Sequence, residues 1–90
     1  MSKRDLYESK TEELVTPLIE QNNFELVDVE YVKEGSNYFL RIVIDRDEPI
    51  DIDTCVEVTN IINPLLDKAD FIKDSYILDI SSKEKGDNNG

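Results

Sequence analysis

Apolar positions along this chain fall into short periodic segments separated by polar turns. Between Lys3 and about Gln21, the residues Tyr7, Thr11, Leu14, Val15, Leu18 and Asn22 recur at helical spacing, with Glu12, Glu13 and Glu20 mostly on the other side. That spacing predicts a helix. Pro17 lacks a backbone donor and is expected to bend it, and Asn22-Asn23 to end it, because Asn tolerates the left-handed conformation of a C-terminal cap. The next segment, FELVDVEYVKEG, alternates: Val27, Val29 and Tyr31 fall on one face, Asp28 and Glu30 on the other. Gly35-Ser36-Asn37 is a turn signal, and a second alternating run, YFLRIVID, follows it. A hairpin centred between Gly35 and Ser36 sets Tyr31 opposite Leu40, Val29 opposite Ile42 and Val27 opposite Ile44. The same register places Glu30 across from Arg41, a favourable charge pair, so two independent patterns agree.

Arg46 to Ile50 reads as a polar loop containing Pro49. Asp51 is expected to cap a second helix, with Asp53 in its first turn favoured by the helix dipole. Cys55, Val58, Thr59, Ile62, Leu65 and Leu66 mark the buried face of that helix, and Pro64 should kink it or end it early. After a polar stretch from Asp67 to Ser75, the residues Tyr76, Leu78 and Ile80 alternate with Ile77 and Asp79 in a third strand. The end of the chain has nothing to bury, which gives one domain over residues 1–82 and a disordered tail over 83–90. The order is α-β-β-α-β. The fold class is α+β, a two-layer domain in which two helices pack on one face of a three-stranded sheet.

Composition changes this picture in one respect. Hydrophobic residues make up 39% of the 90 positions and charged residues 34%, which remains foldable because the apolar positions are periodic. The charge, however, is lopsided: 10 basic residues against 21 acidic ones give a formal net charge of -11. Nucleic-acid binders draw most of their affinity from the reverse balance, so direct nucleic-acid binding by this domain alone is disfavoured. An anionic membrane surface is disfavoured for the same reason. A basic protein partner is the natural complement, and the alternative is that the acidity serves only solubility. Cys55 is the one cysteine, so no internal disulfide can form. The N-terminus MSKRDLYESKTEELV lacks the apolar run of a signal peptide, and no stretch approaches the roughly 20 apolar residues of a membrane span. A cytoplasmic location is expected.

Candidate chemistry is sparse. The uncovered sheet face should carry Asp28, Glu30, Val32, Phe39, Arg41, Val43, Ile77 and Asp79. We single out Asp28, Glu30, Arg41 and Asp79 as the partner-binding set, against the alternative of an ordinary solvated face with a weak Glu30–Arg41 pair. Helix 1, with Glu12, Glu13 and Glu20, is a second candidate contact face. The run from Asp45 to Asp53 is dense in carboxylates, as a calcium loop would be. Pro49 and Ile50 break the required spacing and Glu57 falls one place too late, so a solvated loop with a helix cap is expected, and no metal. Cys55 has no histidine anywhere in the chain to activate it, and Glu57 and Asp53 nearby would raise its thiol pKa; a small buried residue is the expectation. The element order is shared with one type of RNA-binding KH domain, but the Gly-x-x-Gly clamp with basic neighbours is missing, as is any glycine-rich phosphate loop. No cofactor and no enzymatic activity are expected.

Several of these segments, taken in order, resemble a known family. ELVDVEYVKEG, followed by the run containing Arg41 and ending at Asp45, is similar to the first hairpin of the N-terminal domains of the bacterial ribosome maturation factor RimP. TPLIEQ resembles that family's proline-containing first helix, DIDTCVEVTNIINPLLD its second helix, and YILDISS its third strand, so the likeness covers roughly residues 10–82. The resemblance implies a factor that binds the small ribosomal subunit during assembly, near the decoding region, and helps a basic ribosomal protein join its RNA. It also implies an α/β domain of this element order, followed by a small β-barrel domain. The family continues from the paired serines into Pro-Gly and a hydrophobic residue, whereas here Ser81 and Ser82 lead into Lys83, Glu84, Lys85 and Gly86. The usual C-terminal barrel is therefore expected to be absent, and the chain to be a fragment or a stand-alone relative. The function implied is a non-catalytic binding module; the alternatives are a stand-alone acidic interaction or inhibitor domain, and a small metal-dependent enzyme built on the acidic loop.

Overall fold

A computed structural model describes residues 2–83. Helix α1 spans Lys3–Gln21, and the Ser2 hydroxyl caps it by accepting from the Asp5 amide at 3.1 Å. Its buried stripe is Tyr7, Thr11, Val15 and Ile19. Ile19, only 2% exposed, is a core residue that the spacing argument passed over. Asn22, expected on the buried face, is instead exposed and forms the C-cap, its side-chain amide donating to the Leu18 carbonyl at 2.8 Å. Asn23 follows with φ 67°, the left-handed geometry anticipated for the helix stop.

Strands β1 (Glu25–Glu34) and β2 (Asn37–Asp45) form the expected antiparallel hairpin. Gly35, at φ 64°, supplies the left-handed turn residue. Tyr31 faces Leu40, Val29 faces Ile42 and Glu30 faces Arg41, as the alternation predicts. The Val27–Ile44 pairing does not form. A register shift between Leu26 and Asp28 leaves Leu26 opposite Ile44, and Val27 is 42% exposed. Such a bulge inserts one residue into an edge strand and turns the extra side chain outward.

Helix α2 (Ile52–Ala69) then leads to β3 (Ile77–Ser82), which lies parallel to β2 and completes a sheet of order β1-β2-β3. Parallel neighbours need a long crossover, and α2 is that crossover. Asp51 caps it as expected, accepting from the Thr54 amide at 2.9 Å. Pro64 does not end the helix, which runs on to Ala69 and stops at Asp70, φ 47°. A proline forfeits one helical hydrogen bond, and here the turns on both sides of it are held by Val58, Ile62 and Leu66 in the core.

Both helices cover one face of the sheet, α1 over β1 and α2 over β3, so the two-layer expectation holds. The core between the layers joins Val15 and Ile19 of α1 with Val58 and Ile62 of α2 and with Leu40, Ile42 and Ile44 of the central strand. The stretch from Asp67 to Ser75 is less polar in its role than its composition suggests. Ile72 is buried in it, and Phe71 packs edge-on against Tyr7 with ring centroids 6.2 Å apart. Residues 84–90 of the expected tail lie outside the described residues; Lys83 is described, and its amide donates to the Ile44 carbonyl at 2.7 Å.

Two polar groups in this core lead to predictions. The Thr11 hydroxyl is fully buried and finds no hydrogen-bond partner among the described residues. Valine has nearly the same shape and similar helix propensity. Thr11→Val is therefore expected to stabilise the fold by about 1 kcal/mol, read as a higher urea midpoint; an unchanged or lower midpoint would show that the hydroxyl is satisfied in solution. Tyr31 is 5% exposed, edge-on to Tyr7 and stacked on Tyr38, and its hydroxyl donates to Asp74 at 3.5 Å. Burial first, and then the Asp74 carboxylate, push its pKa from 10.0 to about 12. The folded chain thus prefers the protonated phenol more than the unfolded chain does. That contribution is intact below pH 10.0 and is lost as pH rises through about 12. Urea midpoints should fall across that window, and Tyr31→Phe should flatten the fall.

Candidate functional site

The sheet face free of helices is organised around one arginine. Strand alternation sends Leu40, Ile42 and Ile44 of β2 inward and Phe39, Arg41 and Val43 outward. Arg41 sits in the middle of the central strand, with Glu30 beside it on β1 and Asp79 beside it on β3. Its Nε donates to Asp79 Oδ2 at 3.1 Å, Nη2 lies 3.5 Å from Glu34 Oε2, and Nη1 lies 3.8 Å from Glu30 Oε1. The guanidinium also lies 5.9 Å from the centre of the Phe39 ring. The Asp79 hydrogen bond, followed by the charge of Glu34, holds its pKa above the usual arginine value.

Three carboxylates around one guanidinium leave a net of two negative charges on this cluster (one positive and three negative). The Arg41 side chain is 28% exposed, while the carboxylates stay between 41% and 56% exposed. The arginine therefore acts as an internal clamp that fixes the directions of the acids, and the acids form the more exposed part of this face. Such a surface suits ammonium and guanidinium groups and repels phosphate.

Of the four residues singled out from sequence, the fold brings three together: Glu30, Arg41 and Asp79. Asp28 stands apart, because its Oδ1 accepts from the next amide, Val29, at 2.9 Å. Glu34 is the member that sequence reasoning missed. The signal was present, since Glu30 and Glu34 differ by an even number of residues and share a strand face, and Arg41 is long enough to reach past Phe39. Glu12, Glu13 and Glu20 are exposed on α1, and among the described residues they are not in the ion pairs that gather around Arg41.

The other candidates resolve into structural roles. In the acidic loop, Asp51 accepts from both the amide and the hydroxyl of Thr54, at 2.9 and 2.8 Å, and these bonds hold its carboxyl below the usual range. Arg46 folds back over the loop, donating to the Pro49 carbonyl at 2.9 Å and lying 4.9 Å from the Phe24 ring centre. Among the described residues, no group of three or more His, Cys, Asp or Glu side chains is placed to hold a metal ion. Cys55 is half-buried rather than enclosed. Burial raises its thiol pKa, helped by Asp51 and Asp79, which differ from the two acids expected from sequence. No helix among the described residues is long and apolar enough to cross a membrane.

With this geometry in view, residues 14–83 match the model of the family described as the RimP N-terminal domain.

Proposed function

The chain belongs to the RimP N-terminal domain family, a family of ribosome maturation factors, and from that premise we propose that it is a non-catalytic binding module acting in maturation of the small ribosomal subunit. It works in the cytoplasm and contacts a basic ribosomal protein through the acidic cluster clamped by Arg41. The observation that carries this reading is the net negative charge that Glu30, Glu34 and Asp79 present on rigid neighbouring strands. Residues 1–82 form the working unit. Direct RNA contact by this face is disfavoured, because its own carboxylates would repel the phosphates.

The mechanism is placement without a covalent step: the module holds a cationic protein in one orientation until its RNA site is ready. Encounter between opposite fields is fast at low salt and is screened over about 10 Å at 0.1 M ionic strength. Fluorescence anisotropy of the chain with a purified basic small-subunit protein tests this. Affinity should fall steeply from low to moderate salt, and an affinity indifferent to salt would remove the electrostatic reading.

A further inference from the structure

The two edges of the sheet are treated differently. At the β1 edge, the Tyr31 amide donates to the Glu8 carboxylate at 2.7 Å and the Val29 amide to Asp28 at 2.9 Å, so side chains of this same chain occupy its donors. Such capping blocks pairing with another strand. The β3 edge has no strand beyond it among the described residues. Lys83 donates to Ile44 on the β2 side, and alternation then turns the amides and carbonyls of Leu78, Ile80 and Ser82 outward. No side chain among the described residues caps these donors as Glu8 and Asp28 cap those of β1.

Beside this open edge runs a groove between β3 and the first half of α2. Leu78 and Ile80 lie on its strand side, Val56 and Ile52 on its helix side. Ile52 is 81% exposed and Val56 51%, so together they leave apolar surface open beside the strand edge. Asp51 and Asp53 line its helix side, Asp79 borders it through β3 with its carboxylate turned to the opposite face, and no Lys or Arg among the described residues lines it.

We propose that this groove is a strand-addition site for an extended cationic peptide segment with alternating apolar residues. The added strand would pair with Leu78, Ile80 and Ser82, set its apolar side chains against Val56 and Ile52, and turn its basic side chains to the opposite face, beside the Asp79 carboxylate. Charge selects this occupant over a second copy of the chain, because pairing two copies would bring together two chains that each carry a formal net charge of -11. The site uses the outer edge and the helix side of β3 and shares only Asp79 with the Arg41 cluster.

The test uses the whole chain and a blocked nonapeptide alternating lysine and valine, followed by heteronuclear NMR and amide exchange. Titration should shift the amides of Leu78, Ile80 and Ser82 and slow their exchange. N-methylation of alternate peptide residues, which removes the edge-facing donors, should weaken binding about tenfold or more, and so should Ile52→Lys with Val56→Lys. Both substituted residues are exposed, so thermal unfolding should stay near that of the unsubstituted chain. A peptide alternating glutamate and valine should not bind. Any one of three results overturns the proposal: no shifts at millimolar peptide, shifts confined to the Phe39–Arg41–Val43 face, or binding unaffected by N-methylation. Slowed exchange of the same amides on concentrating the protein alone would assign the edge to self-association and overturn it as well.

Discussion

Ile42→Ala is expected to lower the unfolding free energy by about 4 kcal/mol, within the roughly 2–5 kcal/mol typical of truncating a buried isoleucine to alanine. Ile42 has 0% exposure and lies at the middle of the central strand, with Val29 on one side and Ile80 on the other. Both helices press on this layer, so neither the sheet nor the helices can easily move to fill the space. A domain of this size is stable by on the order of 5–13 kcal/mol. The loss is therefore a large share of the total, and it should lower Tm by roughly 15–30 °C. Ile52→Ala serves as the contrast. That side chain is 81% exposed, and its removal should change stability by no more than about 0.5 kcal/mol. Urea and thermal unfolding of both variants check the pair; similar losses for the two would mean that the central strand is not the core.

The second large effect concerns binding. Glu30→Gln with Asp79→Asn keeps the side-chain shapes and removes two of the three negative charges around Arg41, taking the cluster from a net of -2 to 0. Affinity for immature small ribosomal subunits is expected to fall about a hundredfold, from roughly tenfold for each charge that faces a cationic partner. Most of the loss should appear as slower association and a weaker salt dependence. The groups are partly solvated, so the fold should change little, and unaltered circular dichroism with unaltered binding would show that the face is an ordinary solvated surface.

Much of the fold is legible from residue pattern, and the failures have identifiable causes. The hairpin register from Tyr31–Leu40 to Val29–Ile42 follows from alternation together with a turn glycine. It fails at Val27 because Leu26 and Val27 are both apolar, so the sequence reads equally well with or without an extra residue. In α1, Leu14, Val15, Leu18 and Ile19 are all apolar, and spacing alone cannot choose which pair points deepest; the choice of Ile19 comes from the second helix packed beside it. Pro64 reads locally as a helix breaker, but tertiary burial on both of its sides outweighs one missing bond. Ile72 and Phe71 lie in a stretch whose polar neighbours hide them, and their burial depends on Tyr7 arriving from the far end of the chain.

The site divides in the same way. Glu30 opposite Arg41 is visible in the hairpin register. Its connection to Asp79 depends on β3 returning parallel to β2 after a helical crossover, and no local pattern specifies that register. Glu34 joins only because the long arginine side chain reaches past Phe39. The acidic composition pointed to a cationic partner, but the clamp that fixes three of the acids in place is a property of the assembled sheet.

Whether the Arg41-clamped acids dock this domain is decided by co-sedimentation of the purified chain with immature small ribosomal subunits at low and moderate salt. Co-sedimentation is expected at low salt, should weaken as salt rises, and should be lost in the chain carrying Glu30→Gln and Asp79→Asn. Absence of co-sedimentation at both salts, or binding that neither salt nor these substitutions change, would contradict docking through these acids.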